Sequence, residues 1–310
     1  MKMICPTPWL GAPHGYLSDW VTQRWVQLTG RYVDLEQEAW LEGPTGKPTG
    51  IGRNFFDELA QEKGLKLQKD RPGSGLIEDF SALASPSFEA SRVQTGVADF
   101  YEHTSGFDMD AWGEWGGLFR PFGRLLAFLF SRRLGQLNVP LSSLDTSRGI
   151  TSEIVELVEP KTGEVRYTAW VRQMVKTGHV LYAGSYSLCR VPGHTGLCVK
   201  VVFPLPNGSA IVITKPRLHA DGSFSVVSSG AKFGEPGFYF LARNPNGRIS
   251  ARYLKAMRET IHVYGAEEDS VRADHTMKLW GLTFMRLHYR LRKKRTAWVI
   301  DETMGYIRCN

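Results

Sequence analysis

Residues 271–291 read VRADHTMKLWGLTFMRLHYRL. Their odd positions, from Val271, Ala273, His275 and Met277 through Met285, Leu287, Tyr289 and Leu291, carry no fixed charge. Their even positions hold Arg272, Asp274, Lys278, Arg286 and Arg290. Successive side chains of a strand point to opposite faces, so a period of two predicts one dry face and one largely wet face. The stretch reads as one long closing strand.

Working back towards 149, short β-prone segments alternate with turn signals. Segments 152–158, 165–175, 179–191, 197–203, 209–214, 223–228 and 237–242 are separated by runs that include Asn207-Gly208, Asp221-Gly222 and Asn246-Gly247. Asn-Gly and Asp-Gly between apolar alternations are strong hairpin signals. Loops this short suit antiparallel neighbours and are too short for parallel crossovers. Residues 249–264 keep helical spacing at Tyr253, Leu254, Met257 and Ile261, then turn β-prone, and are read as a helix running into a short strand.

The first half reads as helical and loop-rich. Leu17, Val21, Trp25 and Leu28 follow helical spacing. Asn54 and Gly64 bracket a short helix, and 87–101 places Val93, Val97, Phe100 and Tyr101 on one face. Asp108 or Asp110 is read as the N-cap of a helix carrying Trp112 and Trp115. Residues 118–137 form an apolar helix, buried or lying in a membrane interface with its phenylalanines inserted.

The expected fold is therefore α+β. A helical N-terminal half (1–148) packs on a C-terminal antiparallel β domain (149–295), with a tail at 296–310. The β domain is expected to be a barrel or strongly curved sheet of lipocalin-like form, closed to remove exposed edges. A helix-grip arrangement is the alternative.

Composition narrows the function classes. With 42% hydrophobic and 22% charged residues, the chain can bury a core. Nine tryptophans favour large apolar cores or aromatic-lined cavities. No apolar stretch is long enough for a spanning helix. The first residues run into Pro6 and Pro8 without an apolar leader, which points to the cytoplasm. The net charge of +7 is concentrated partly at Arg290, Arg292, Lys293, Lys294 and Arg295. That run reads as a solvated strand end, or as a contact for an anionic membrane surface. No nucleic-acid module accompanies it, so no nucleic-acid partner is expected.

Specific chemistry is sparse. Gly46-Lys47 is followed by Pro48, and Gly50-Ile51-Gly52 lacks its third glycine, so both nucleotide-binding patterns fail. Cys5, Cys189, Cys198 and Cys309 have no metal-ligand spacing. Cys189 and Cys198 flank a hairpin loop and are expected as free thiols. Asp108, Asp110, Glu102 and His103 offer too few converging ligands, so neither a metal nor a cofactor is expected.

What remains is a pocket. His275 falls on the dry face beside Met277 and needs a polar partner there. Val180, Tyr182, Gly184, Tyr186 and Leu188 share a strand face, with Gly184 leaving room between two tyrosines; Trp170 lies on a neighbouring segment. Trp170, Tyr182, Gly184, Tyr186, His275 and Met277 are the candidate ligand-binding residues. The expected function is binding of a hydrophobic small molecule or lipid in a β-barrel cavity. Two alternatives stand beside it: an enzyme using that cavity for cyclase- or isomerase-like acid–base chemistry, and a peripheral membrane or assembly protein. No catalytic residue is assigned.

Overall fold

The computed structural model describes residues 17–48, 51–52, 54–119, 121, 149–175, 178–244, 246–267, 269–294, 298–300 and 307–309. In chain order the elements are α1 (Leu17–Thr29), β1 (Arg31–Val33), α2 (Phe55–Lys63), β2 (Lys66–Lys69), α3 (Thr95–Glu102) and β3 (Phe107–Trp115). There follow β4 (Ile150–Val158), β5 (Val165–Met174), β6 (Val180–Cys189), β7 (Cys198–Leu205), β8 (Gly208–Leu218) and β9 (Phe224–Val227). The last strands of the main sheet are β10 (Phe238–Arg243), β11 (Ile249–Tyr253), β12 (Met257–Gly265), β13 (Ser270–Leu279) and β14 (Leu282–Lys293). A separate small hairpin, β15 (Trp298–Ile300) with β16 (Ile307–Cys309), lies in the tail.

One 14-stranded antiparallel sheet runs β2-β4-β5-β6-β7-β8-β9-β12-β13-β14-β3. It forks at β8, whose first residues pair with β10 while Lys215–Leu218 pair with β9. The branch continues through β10 to β11 and β1. The sheet curves around an apolar interior, and β3 passes close to β4, but no ladder joins the two among the described residues.

The structure therefore corrects the expected barrel: the sheet is curved but not closed. The helix-grip alternative fails too, because no long helix closes the sheet among the described residues. The helical first half is also overturned. Its described residues supply three α-helices, several single-turn 3₁₀ segments and three strands that enter the main sheet. In β3, Phe107, Met109 and Ala111 are buried while Asp108 and Trp112 face out. This period of two replaces the expected capped helix, and Asp110 accepts from Arg292 on β14 instead of capping. The helix expected over 87–101 begins only at Thr95, after a 3₁₀ turn at Ala90–Arg92. The segment 118–137 and the boundary at 140–149 fall almost wholly outside the described residues.

The helical reading of 249–264 is corrected to β11, a turn and β12. There Met257, Glu259, Ile261 and Val263 reach the interior. The stretch 271–291 is a hairpin, with Trp280 and Gly281 both at positive φ in a two-residue turn. A two-residue turn pairs odd with even positions, Leu279 with Leu282. A bulge after Met277 then restores odd with odd, Met277 with Met285. For that reason the odd positions Val271, Ala273, Met277, Met285, Leu287, Tyr289 and Leu291 all stay buried.

Both faces of much of the sheet are covered. The outer face of β4–β6 packs under Phe55, Phe56 and Leu59 of α2. Trp40 and Leu41 cover β7, β8 and β10. Strands buried on both sides lose clean alternation, as β8 does from Gly208 to Thr214. Gly64 ends α2 in the left-handed conformation, whereas the side chain of Asn54 makes no cap bond. In α1 the helically spaced Leu17, Val21, Trp25 and Leu28 are all exposed, and Asp19, Gln23 and Val26 are buried.

Cys189 and Cys198 face each other in register as free, buried thiols. Burial pushes them up to about 11 and about 12. Only the thiolate reacts, so iodoacetamide at mildly alkaline pH is expected to leave both untouched in the folded chain and to modify both in urea. Peptide mass mapping reads the result, and rapid native modification of either would contradict this burial.

Candidate functional site

The curved sheet encloses a cavity of about 520 Å³, a volume typical of small-molecule sites. Its wall is mostly apolar, with Leu76, Val199, Phe203, Val226, Met277 and Met285 contributing. Where β12 and β13 are joined, the interior is filled by Phe80, Phe88, Tyr101 and Phe224 in edge and tilted ring contacts. Towards the β13–β14 turn, the wall is formed by Met257, Leu279 and Phe284, with Trp115 beside them. Asp19, Thr22, Gln23 and Val26 of α1 line it as well, and Gln23 Nε2 donates to Pro206 O at 3.0 Å.

A compact polar centre is set into this wall. Arg172, on β5, is only 5% exposed. Its guanidinium lies over the Trp170 ring at 4.1 Å and the Tyr182 ring at 4.8 Å. It reaches towards the hydroxyls of Tyr186 and Tyr289. Among the described residues its Nε has no hydrogen-bond partner, and no ion pair includes it. Glu259 Oε2 lies 3.0 Å from His275 Nε2, with both side chains about nine-tenths buried. Burial raises all three phenols: Tyr182 well above its ordinary value, Tyr186 upward, and Tyr289 up to about 12 against the pull of Arg172. They stay neutral at physiological pH and act as hydrogen-bonding groups.

Of the six sequence candidates, Trp170, Tyr182, Tyr186, His275 and Met277 line this one cavity. Trp170 is held by its indole Nε1 donating to Ser152 Oγ at 2.8 Å. Gly184 does not line it. A Cβ there would fall 2.8 Å from Val201 and 2.9 Å from Phe203, so the adjacent strand already fills the space expected to be open. His275 finds its polar partner in Glu259.

Sequence reading missed Arg172, Glu259 and Tyr289 as site residues. Arg172 shares parity with Trp170 on β5, and an arginine on a dry face is the signal that could have found it. Glu259 was hidden by the helical reading of 249–264.

Outside the cavity, Asp274 binds His288 Nδ1 at 2.6 Å and accepts from Tyr264 Oη at 3.1 Å, on the opposite face from His275. The basic run at 290–294 finds local partners: Arg290 near Glu267, Arg292 with Asp110, Lys293 with Asp99, and Lys294 on the Ser105 carbonyl. No group of three metal-binding side chains occurs among the described residues.

Comparison with known proteins gives one relative at moderate distance. The chain is 27% identical over 244 residues to the uncharacterized membrane protein YndJ of Bacillus subtilis (strain 168). The match covers 78% of this chain and 41% of that protein, so the chain spans less than half the length of its relative. No family model matches the chain, and no solved structure matches it. No described helix is long and apolar enough to cross a membrane.

The contacts at Gly184 set an expected outcome. A valine there forces apart Val201 and Phe203, and overpacking of this kind costs about 1–3 kcal/mol. Urea unfolding of Gly184→Val should show that loss. An unchanged midpoint would mean that the strands leave room after all.

Proposed function

We propose that this chain binds an amphiphile, an apolar body with an acidic head, in the interior of the curved sheet. The observation that carries the reading is Arg172: a nearly fully buried guanidinium with an unpartnered Nε, facing an apolar cavity. Removing such a charge from water costs several kcal/mol unless a counter-charge or hydrogen bonds replace the lost hydration. Two aromatic faces and two phenol hydroxyls supply part of that replacement. A carboxylate or phosphate head on the guanidinium supplies the rest, while an acyl, isoprenoid or aromatic body fills the apolar wall. The membrane named for the Bacillus subtilis relative accords with a lipid-like ligand.

Arg172→Met keeps the stem and removes the charge. A charge-assisted hydrogen bond contributes about 1.5–3 kcal/mol, so the variant should bind a fluorescent fatty acid roughly ten- to a hundredfold more weakly. The matching fatty alcohol should be affected little. Equal losses for acid and alcohol, or none for either, would remove the assigned role of the arginine; thermal melting of the variant separates this from misfolding.

A second reading rests on the His275–Glu259 pair. Glu259 holds the His275 imidazole in a fixed orientation inside the cavity, as a general acid–base needs. Acid–base conversion of the bound molecule would be the function in that case. Mass spectrometry of the ligand recovered after incubation distinguishes the two: an unchanged mass and retention time supports binding, and an isomerised or hydrated product supports catalysis.

A further inference from the structure

Beyond the cavity, the tip of the β13–β14 hairpin carries its own surface. Trp280 is 77% exposed and Leu282 62% exposed, at the turn itself. Trp280 N donates to Ala256 O at 2.8 Å, which fixes the tip against the turn between β11 and β12. Lys255, Arg258 and Lys278 border the same groove as Trp280, and Arg286 lies four residues along β14 from Leu282; all four are exposed. Arg258 and Lys278 are direct cross-strand partners. No ion pair among the described residues includes any of the four. Glu114, across the ladder from Arg286, is the acidic neighbour in register. Two like charges directly opposite are unfavourable in a sheet unless something anionic lies over them.

A groove of about 700 Å³ opens beside the tip, lined by Ser228, Thr260, Thr276, Arg258, Lys278 and Trp280. Glu259 also borders it, but its carboxylate is turned inward to His275. Hydroxyls and cations around a hollow suit a phosphate, and tryptophan prefers the boundary between headgroups and acyl chains. The apolar tip and its basic collar are thus complementary to one kind of surface.

We infer that the β13–β14 hairpin tip docks on an anionic phospholipid bilayer, with Trp280 and Leu282 inserted at headgroup level and Lys255, Arg258, Lys278 and Arg286 on the phosphates. Leu279 and Phe284, next to the tip, line the cavity, so docking brings this end of the interior against the bilayer. The surface does not depend on what the cavity holds.

Co-sedimentation of the full chain with phosphatidylcholine vesicles, with and without phosphatidylglycerol, tests this. Binding is expected only with phosphatidylglycerol and should weaken as salt is raised. Each basic residue near an anionic surface is worth about 1 kcal/mol, so Lys255→Gln with Lys278→Gln should weaken partitioning about thirtyfold. Trp280→Ser with Leu282→Ser should abolish it, while Trp280→Phe should retain it. Thermal melting checks that each variant is folded. Equal binding to neutral vesicles, no binding to either, or binding untouched by the tip variants would overturn the proposal. So would a dimer in gel filtration that Trp280→Ser disperses without any vesicle binding, since the tip would then join two copies of the chain.

Discussion

Five buried aromatic side chains, Phe80, Phe88, Phe100, Tyr101 and Phe224, fix the shape of the interior. Their ring centroids lie between 5.2 and 6.4 Å apart in edge and tilted contacts. Such contacts add about 0.5–1.5 kcal/mol each beyond the area they bury. They come from α3, from the 3₁₀ segment at Phe80–Leu83, from the isolated Ser85–Phe88 bridge and from β9, and they fill the curve where β12 meets β13. The sheet can then leave its ladder unclosed without losing its core, because one end is filled by rings. The space that remains lies towards α1 and the β13–β14 turn, and the cavity occupies it.

Within that space the energetics turn on one charge. Full transfer of a cation to an apolar medium costs on the order of 20 kcal/mol in the idealised limit and several after relaxation. Cation–π contacts with Trp170 and Tyr182, each about 2 kcal/mol or more when desolvated, and two neutral phenols offset part of this. Glu259 is engaged by His275. In the proposed reading an anionic head meets this charge and hydrocarbon meets the rest of the wall. This division of labour, a few polar groups fixing orientation while apolar area supplies affinity, is common to ligand cavities.

How much of this was legible in the sequence depended on which faces were covered. β13 and β14 have one wet face, so their alternation was readable and placed His275 and Met277 correctly on the inner side. The turn between them was not, because Trp280 lacks the preference for positive φ that marks Asn-Gly hairpins. β3 was hidden for a different reason: Asp108 and Asp110 alternate with Met109 and Ala111, and an acidic residue before tryptophans also looks like a helix start. In β12, Met257 and Ile261 satisfy both a period of two and an i, i+4 spacing, so Glu259 was lost with the helical reading. Closure could not be read at all, since the ladder between two edges is set by long-range geometry that no local pattern encodes.

The most direct measurement is a crystal structure of the full chain grown with a long-chain fatty acid. The carboxylate should lie within hydrogen-bond distance of Arg172 Nε, with the acyl chain running along Phe203 and Met285 towards the β13–β14 turn. An interior filled by side chains alone, or Arg172 paired directly with Glu259 and the fatty acid lying elsewhere, would contradict it.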